Sequence, residues 1–165
     1  MQFARASLVA AGVAALALPF LAVPVAHAGP AGASAAVFNV IVSDLNPDQV
    51  LDDGRGYALS HYRHDGLNQQ WELIDMTDDT FQIKARTGAC ATAPTSHGAV
   101  LTQPCERKNL AQHWYVNRHG SKTVFENLRE EGQCLTKAAD QEPTVVTDCN
   151  GAKAQNWRLT APQLR

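Results

Sequence analysis

The chain has 165 residues, with 14 Lys and Arg against 16 Asp and Glu and a formal net charge of −2. The balance is close to neutral and no basic face or stripe is present, which argues against a nucleic-acid partner. The length suits one domain.

The first residues read as a targeting segment. Arg5 supplies a positive start, Leu8 to Leu21 is an uncharged Ala/Leu/Val run, and Ala26-His27-Ala28 offers a small-x-small cleavage site. This is the pattern of a secretory signal peptide over residues 1–28, cut after Ala28. The apolar run is short and Pro19 and Pro24 interrupt it, whereas a membrane span needs about 20 apolar residues. No membrane insertion is expected, and the protein is read as secreted (extracellular). No Cys follows the run to carry a lipid. Residues 29–35 are small and flexible, a lead-in to a domain over residues 36–165. All four cysteines, at 90, 105, 134 and 149, lie in that domain. An even count in an exported chain argues for disulfides, with three connectivities open.

Within the domain the chain repeats itself. Trp71, Trp114 and Trp157 follow one another at intervals of 43 residues, and each stands two residues after a glutamine: Gln69, Gln112 and Gln155. Cys90 and Cys134 are 44 apart, as are Cys105 and Cys149, and Gly88 and Gly132 each precede the first Cys by two. Self-similarity of this regularity marks an internal repeat. Inside a repeat the pattern is strand and turn. Phe81 to Arg86 alternates apolar and polar residues, Thr87-Gly88 breaks the run, and Val100-Leu101 and Val145-Val146 are short apolar pairs. No segment carries a sustained helical period. Three repeats of about 40 residues cannot each bury an apolar face alone, so they must share one core in a closed, threefold-pseudosymmetric, all-β fold.

Three Q-x-W motifs, with Gly-x-Cys-Leu at 132–135 and a second Cys fifteen residues beyond the first, resemble the ricin-type β-trefoil lectin domain family. The resemblance spans roughly Ala36 to Thr160. It implies a non-catalytic carbohydrate-binding module in which each Trp packs into the common core and each Gln tethers loop backbone. It also implies disulfides Cys90–Cys105 and Cys134–Cys149. The first repeat departs from that pattern, with Val50 and Arg63 at the cysteine positions, and Arg63 is expected to snorkel into solvent.

The family's sugar site combines an Asp two residues after the first Cys position, an aromatic two before the second, and an Asn just before the Q-x-W glutamine. A carboxylate accepts paired hydrogen bonds from neighbouring hydroxyls, and an amide donates and accepts. The second repeat has Thr92, Gln103 and Ala111 there, and the third has Thr136, Thr147 and Ala154, so both read as scaffold. The first repeat carries Asp52, His61 and Asn68, with Gln69 behind them and Tyr62 or Tyr57 beside them. Glycans, galactose-type or related, are the implied partners. Asp52-Asp53-Gly54 is also a turn triplet.

Other chemistries find little footing. No G-x-S-x-G or H-E-x-x-H motif occurs. His61 and His64 lie three apart with no nearby Cys or further spaced His, so they read as a solvated loop, with no metal and no cofactor expected. The alternative that two degenerate repeats leave open is a trefoil that binds a protein partner, as protease inhibitors and toxin cell-binding subunits do.

Overall fold

The computed structural model describes residues 35–163. The expected signal peptide, and all of the expected lead-in except Ala35, lie outside the described residues. Thirteen strands and three single 3-10 turns make up the fold. The first repeat contributes β1 (Phe38–Ser43), β2 (Gln49–Gly54), β3 (Tyr57–Tyr62) and β4 (Trp71–Asp75). The second contributes β5 (Phe81–Ala85), β6 (Ala89–Thr92), β7 (Gly98–Ala99), β8 (Leu101–Pro104) and β9 (His113–His119). The third contributes β10 (Lys122–Asn127), β11 (Gln133–Thr136), β12 (Val145–Asp148) and β13 (Trp157–Thr160).

Six strands close into a ring. Strand β1 pairs with β4, β4 with β5, β5 with β9, β9 with β10, β10 with β13, and β13 returns to β1. Closure removes the free edges that an open sheet would expose. The antiparallel pairs β2–β3, β6–β8 and β11–β12 belong one to each repeat. This is the β-trefoil architecture expected from the repeats.

The tryptophans mark the pseudosymmetry. Each opens or nearly opens its barrel strand, and the cross-strand partners are Asn39 for Trp71, Phe81 for Trp114 and Thr123 for Trp157. All three rings are fully buried in one cluster with Ile41, Ile83, Phe125 and Leu135. A buried indole N–H needs an acceptor. It finds the Leu51 carbonyl at 2.9 Å from Trp71, Ala91 at 3.1 Å from Trp114, and Leu135 at 3.0 Å from Trp157. Those acceptors follow directly on Val50, Cys90 and Cys134, so the alignment of repeats drawn from the cysteines holds in three dimensions.

Both expected disulfides are present, each with Cα atoms 5.0 Å apart and closing a separation of 15 residues. A loop of that size is worth about 3 kcal/mol in the chain-entropy account. In the first repeat, Val50 is buried instead and packs with Val40 and Val42. Arg63 corrects the expectation of a freely solvated side chain. It is only 22% exposed, because its Nε donates to Asp65 Oδ1 at 2.6 Å and draws it back along the loop.

A second polar staple joins the β4–β5 turn to the loop before β9. The buried His113 directs Nε2 at the Arg107 carbonyl (3.0 Å), and Nδ1 at Asp78 Oδ2 (2.9 Å) and Thr80 Oγ1 (3.2 Å). The Thr80 hydroxyl also donates to Asp78 Oδ1. That hydroxyl bond is the main reason the Asp78 carboxyl sits below the ordinary carboxylate value, with His113 adding to it and burial opposing it.

Two outcomes test these contacts. Trp114→Phe keeps a ring but strands the Ala91 carbonyl and leaves a void, so a loss of about 2–4 kcal/mol is expected in chemical denaturation. A loss well below that range would show that the indole bond does not hold the repeat. For Asp78, a lowered folded value means its contribution is full above the unfolded value of 3.8 and is lost as pH falls through the folded one. The melting temperature of Asp78→Asn should therefore lie below that of the unaltered protein at neutral pH, and the gap should close under acid. A gap that stays constant with pH would refute the ionic role.

Candidate functional site

Strands alternate their side chains between two faces, so residues directly opposite one another across a hairpin share a face. In the β2–β3 hairpin Val50 lies opposite His61, and Asp52 lies opposite Leu59. The sequence position expected to carry the aromatic is thereby set beside the one expected to carry the carboxylate. Gln103 opposite Cys90 and Thr147 opposite Cys134 occupy the same place in the other repeats. Tyr62 lies opposite Gln49, one residue out of phase; the residue is 52% exposed and does not line the cavity. Its backbone matters more, since its carbonyl accepts from Gln69 Nε2 at 2.9 Å.

Asp52 is 3% exposed, and its carboxylate is held by three donors. Asn68 Nδ2 reaches Oδ1 at 2.8 Å, while Gln69 Nε2 at 2.8 Å and His64 Nε2 at 3.2 Å both reach Oδ2. A buried carboxylate without such partners would cost several kcal/mol. Gln69 in turn uses its oxygen to accept from the backbone N–H groups of His64 (2.8 Å) and Asp65 (3.1 Å), folding the loop back over β2. Asn68 and Gln69 sit in the 3-10 turn Leu67–Gln69 that leads into β4.

These groups surround a surface cavity of about 180 Å³. Asp52, Asn68, His61 and His64 form one wall, and Leu59 and Gly54 supply apolar surface. Arg55 and Gln141 complete the rim. A Cβ at Gly54 would stand 2.7 Å from Leu59 Cδ1 and 3.3 Å from Asp52 Oδ1, so the tip of Leu59 would have to shift to admit it. Of the expected site residues, Asp52, His61 and Asn68 line the cavity, Gln69 braces it from behind, and the rings of Tyr62 and Tyr57 do not line it. Three lining residues were not foreseen. His64, expected in a solvated loop, is turned onto Asp52 by the fold. Arg55 belongs to the tight β2–β3 turn, where it and Gly56 take positive φ of 58° and 81°. Gln141 arrives from the third repeat, also at positive φ, with its N–H donating to the Ser60 carbonyl at 2.6 Å.

The corresponding places in the other repeats are occupied by threonine hydroxyls. Thr92 donates to the Cys90 carbonyl (3.1 Å) and accepts from Gln112 Nε2 (3.1 Å). Thr136 donates to the Cys134 carbonyl, lies 2.8 Å from the Thr147 hydroxyl, and meets Gln155 Nε2 at 3.3 Å. These hydroxyls satisfy the same glutamines and leave no carboxylate facing outward.

The Asp78–His113–Thr80 set has the composition of an acid, a base and a nucleophile. Thr80 is fully buried, however, so no substrate reaches its hydroxyl. Its geometry serves packing.

A larger surface cavity, about 330 Å³, opens elsewhere, between the β9–β10 turn and the end of β13. Arg118 and Arg158 line it. Neither carries over from the sugar pattern of the repeats.

Comparison with known proteins gives a consistent picture. The chain matches the ricin-type beta-trefoil lectin domain over residues 39–157. No curated protein sequence matches significantly. Among solved structures, the designed threefold-symmetric protein ThreeFoil is similar with a TM-score of 0.66 at 22% identity, covering 74% of this chain and 97% of that one. The Macrolepiota procera ricin B-like lectin in complex with lactose has a TM-score of 0.63 at 15% identity, over 79% of this chain and 99% of the lectin. The Haemophilus ducreyi cytolethal distending toxin has a TM-score of 0.65 at 20% identity, over 78% of this chain and 85% of that one. Identities this low speak to fold alone, whereas the family match over residues 39–157 takes in all three Q-x-W pins and both cysteine pairs. The chain belongs to the ricin-type β-trefoil lectin domain family, a family of carbohydrate-binding modules.

Proposed function

We propose that the protein is a secreted lectin-like module that binds a galactose-type glycan at one site, the first-repeat cavity. The observation that carries this reading is the state of the Asp52 carboxylate. It is buried and braced by three donors, yet Oδ1 has a single partner, Asn68, and borders the open cavity. An oxygen with two lone pairs and one donor can accept a hydroxyl. The Asn68 amide retains donor and acceptor capacity for a neighbouring hydroxyl, and the face of His61 can lie against sugar C–H groups. Two disulfides fit an oxidising, extracellular setting.

A single shallow site exchanges water contacts for hydroxyl contacts, with about 0.5–1.5 kcal/mol gained per bond. Monovalent affinity near the millimolar range follows, raised by multivalent display. On a glycan array the unaltered protein should bind galactose-terminated structures, and Asn68→Ala should weaken binding about threefold to tenfold while leaving the fold intact. Asp52→Ala should abolish it. A blank array with well-folded protein would overturn the proposal in favour of a protein-binding trefoil. Gly54→Ala gives an independent check: its Cβ intrudes on Leu59 and the Asp52 oxygen, so glycan binding should fall with little change in melting temperature. Undiminished binding by Gly54→Ala would move the site elsewhere.

A further inference from the structure

The same hairpin that carries Asp52 brings two imidazoles to it. Asp52, His61 and His64 each present a donor atom, all within 4.8 Å of one another. The three come from β2, from β3 and from the loop after β3, so the grouping is made by the fold and not by a sequence motif. The His61 and His64 rings stand nearly perpendicular, at 86°, with centroids 5.6 Å apart.

Their hydrogen bonds determine which nitrogens are available. His61 Nδ1 lies 3.0 Å from the Tyr62 carbonyl, which can only accept, so Nδ1 carries the hydrogen and Nε2 keeps its lone pair. A ring nitrogen held by a backbone carbonyl, with the opposite nitrogen free, is the usual arrangement of a metal-binding histidine. His64 Nδ1 accepts from the Gly66 N–H at 3.2 Å, which leaves the hydrogen on Nε2, donated to Asp52 Oδ2. A cation between His64 Nε2 and Asp52 would replace that hydrogen, which would pass to Nδ1. The partly exposed Gly66 N–H would then turn to water. Asp52 would still be fixed from behind by Gln69 and Asn68, a braced carboxylate of the kind that supports metal sites.

We propose that Asp52, His61 and His64 form a site for a divalent late first-row transition ion, with zinc the best fit. Two imidazoles and one carboxylate suit zinc, which takes such ligands at about 2.0–2.2 Å and leaves a further position to water. With Asp52 held by Asn68 and Gln69, closing three donors from within 4.8 Å to that geometry asks the imidazoles to approach the carboxylate. His61 is partly buried and the His64 side chain is 47% exposed, so both have room. Arg55, the cation on the cavity rim, opposes the ion but is exposed and screened by water.

Isothermal titration of untagged, chelator-treated protein with zinc chloride, with no glycan present, should show one equivalent bound. His61→Ala and His64→Ala should each weaken it about tenfold or more, since loss of even an outer-shell partner typically costs that much. His97→Ala and His119→Ala, which alter histidines outside the cavity, should leave it unchanged. Cobalt in place of zinc should give visible absorption bands of low coordination number, which reads the ligand set in the unaltered chain whether or not a variant folds. No uptake, or uptake that follows His97 or His119, overturns the proposal. The ion would share Asp52 and His61 with the proposed sugar site, but the inference does not rest on that reading: metal uptake and glycan binding are measured separately and either can fail alone.

Discussion

The need of a buried indole N–H for an acceptor organises this molecule. Three tryptophan rings fill the shared core, and none can be there with its N–H unpaired. Each finds the carbonyl of the second residue in a Cys-x pair or its Val50-Leu51 equivalent. That bond fixes the last barrel strand of a repeat against the first strand of its hairpin. The glutamine two residues earlier then lies under the following residue of the hairpin: Asp52, Thr92 or Thr136. Threefold closure and the placing of the candidate site are thus consequences of one contact made three times.

What differs between repeats is the group each glutamine meets. Gln112 and Gln155 point their amides at threonine hydroxyls that are themselves bonded to cysteine carbonyls, and the networks end there. Gln69 points at a carboxylate. An ion in that buried slot must be surrounded by donors, and Asn68 and His64 provide them from the surface side. Alanines in place of Asn68, at 111 and 154, follow from the same logic, since a threonine slot has no charge to satisfy. The polar pair Asp52 and Asn68 is therefore a single unit, and neither residue is interpretable without the other.

Much of this was legible in the sequence because it repeats. Periodic tryptophans and cysteines report the fold directly, and the register of Asp52, His61 and Asn68 could be taken from the cysteine positions of the other repeats. What escaped was either unrepeated or nonlocal. Gln141 reaches the cavity from another repeat on a strained backbone, with no local pattern to announce it. Tyr62 was one residue out of phase with the binding face, an ambiguity that strand alternation makes costly. His64 looked like a solvated loop residue because its partner, Asp52, is twelve positions away and becomes adjacent only through the hairpin.

The missing third disulfide also acquires a physical reading. In the second and third repeats the chain after the hairpin is tied covalently to β6 or β11. In the first, Val50 joins an apolar cluster, and the loop keeps the tether that all three repeats share, the glutamine oxygen accepting from loop backbone, here from His64 and Asp65, with the Asp65–Arg63 pair added. The Gln69 amide donates to Asp52 and the Tyr62 carbonyl, where Gln112 and Gln155 donate to threonine hydroxyls and the Pro104 and Asp148 carbonyls. A polar tie leaves the loop with His64 at its surface, free to adjust to a ligand, where a disulfide would have fixed it. The repeat without the covalent link is thus also the one that carries the polar cavity and the network centred on Asp52.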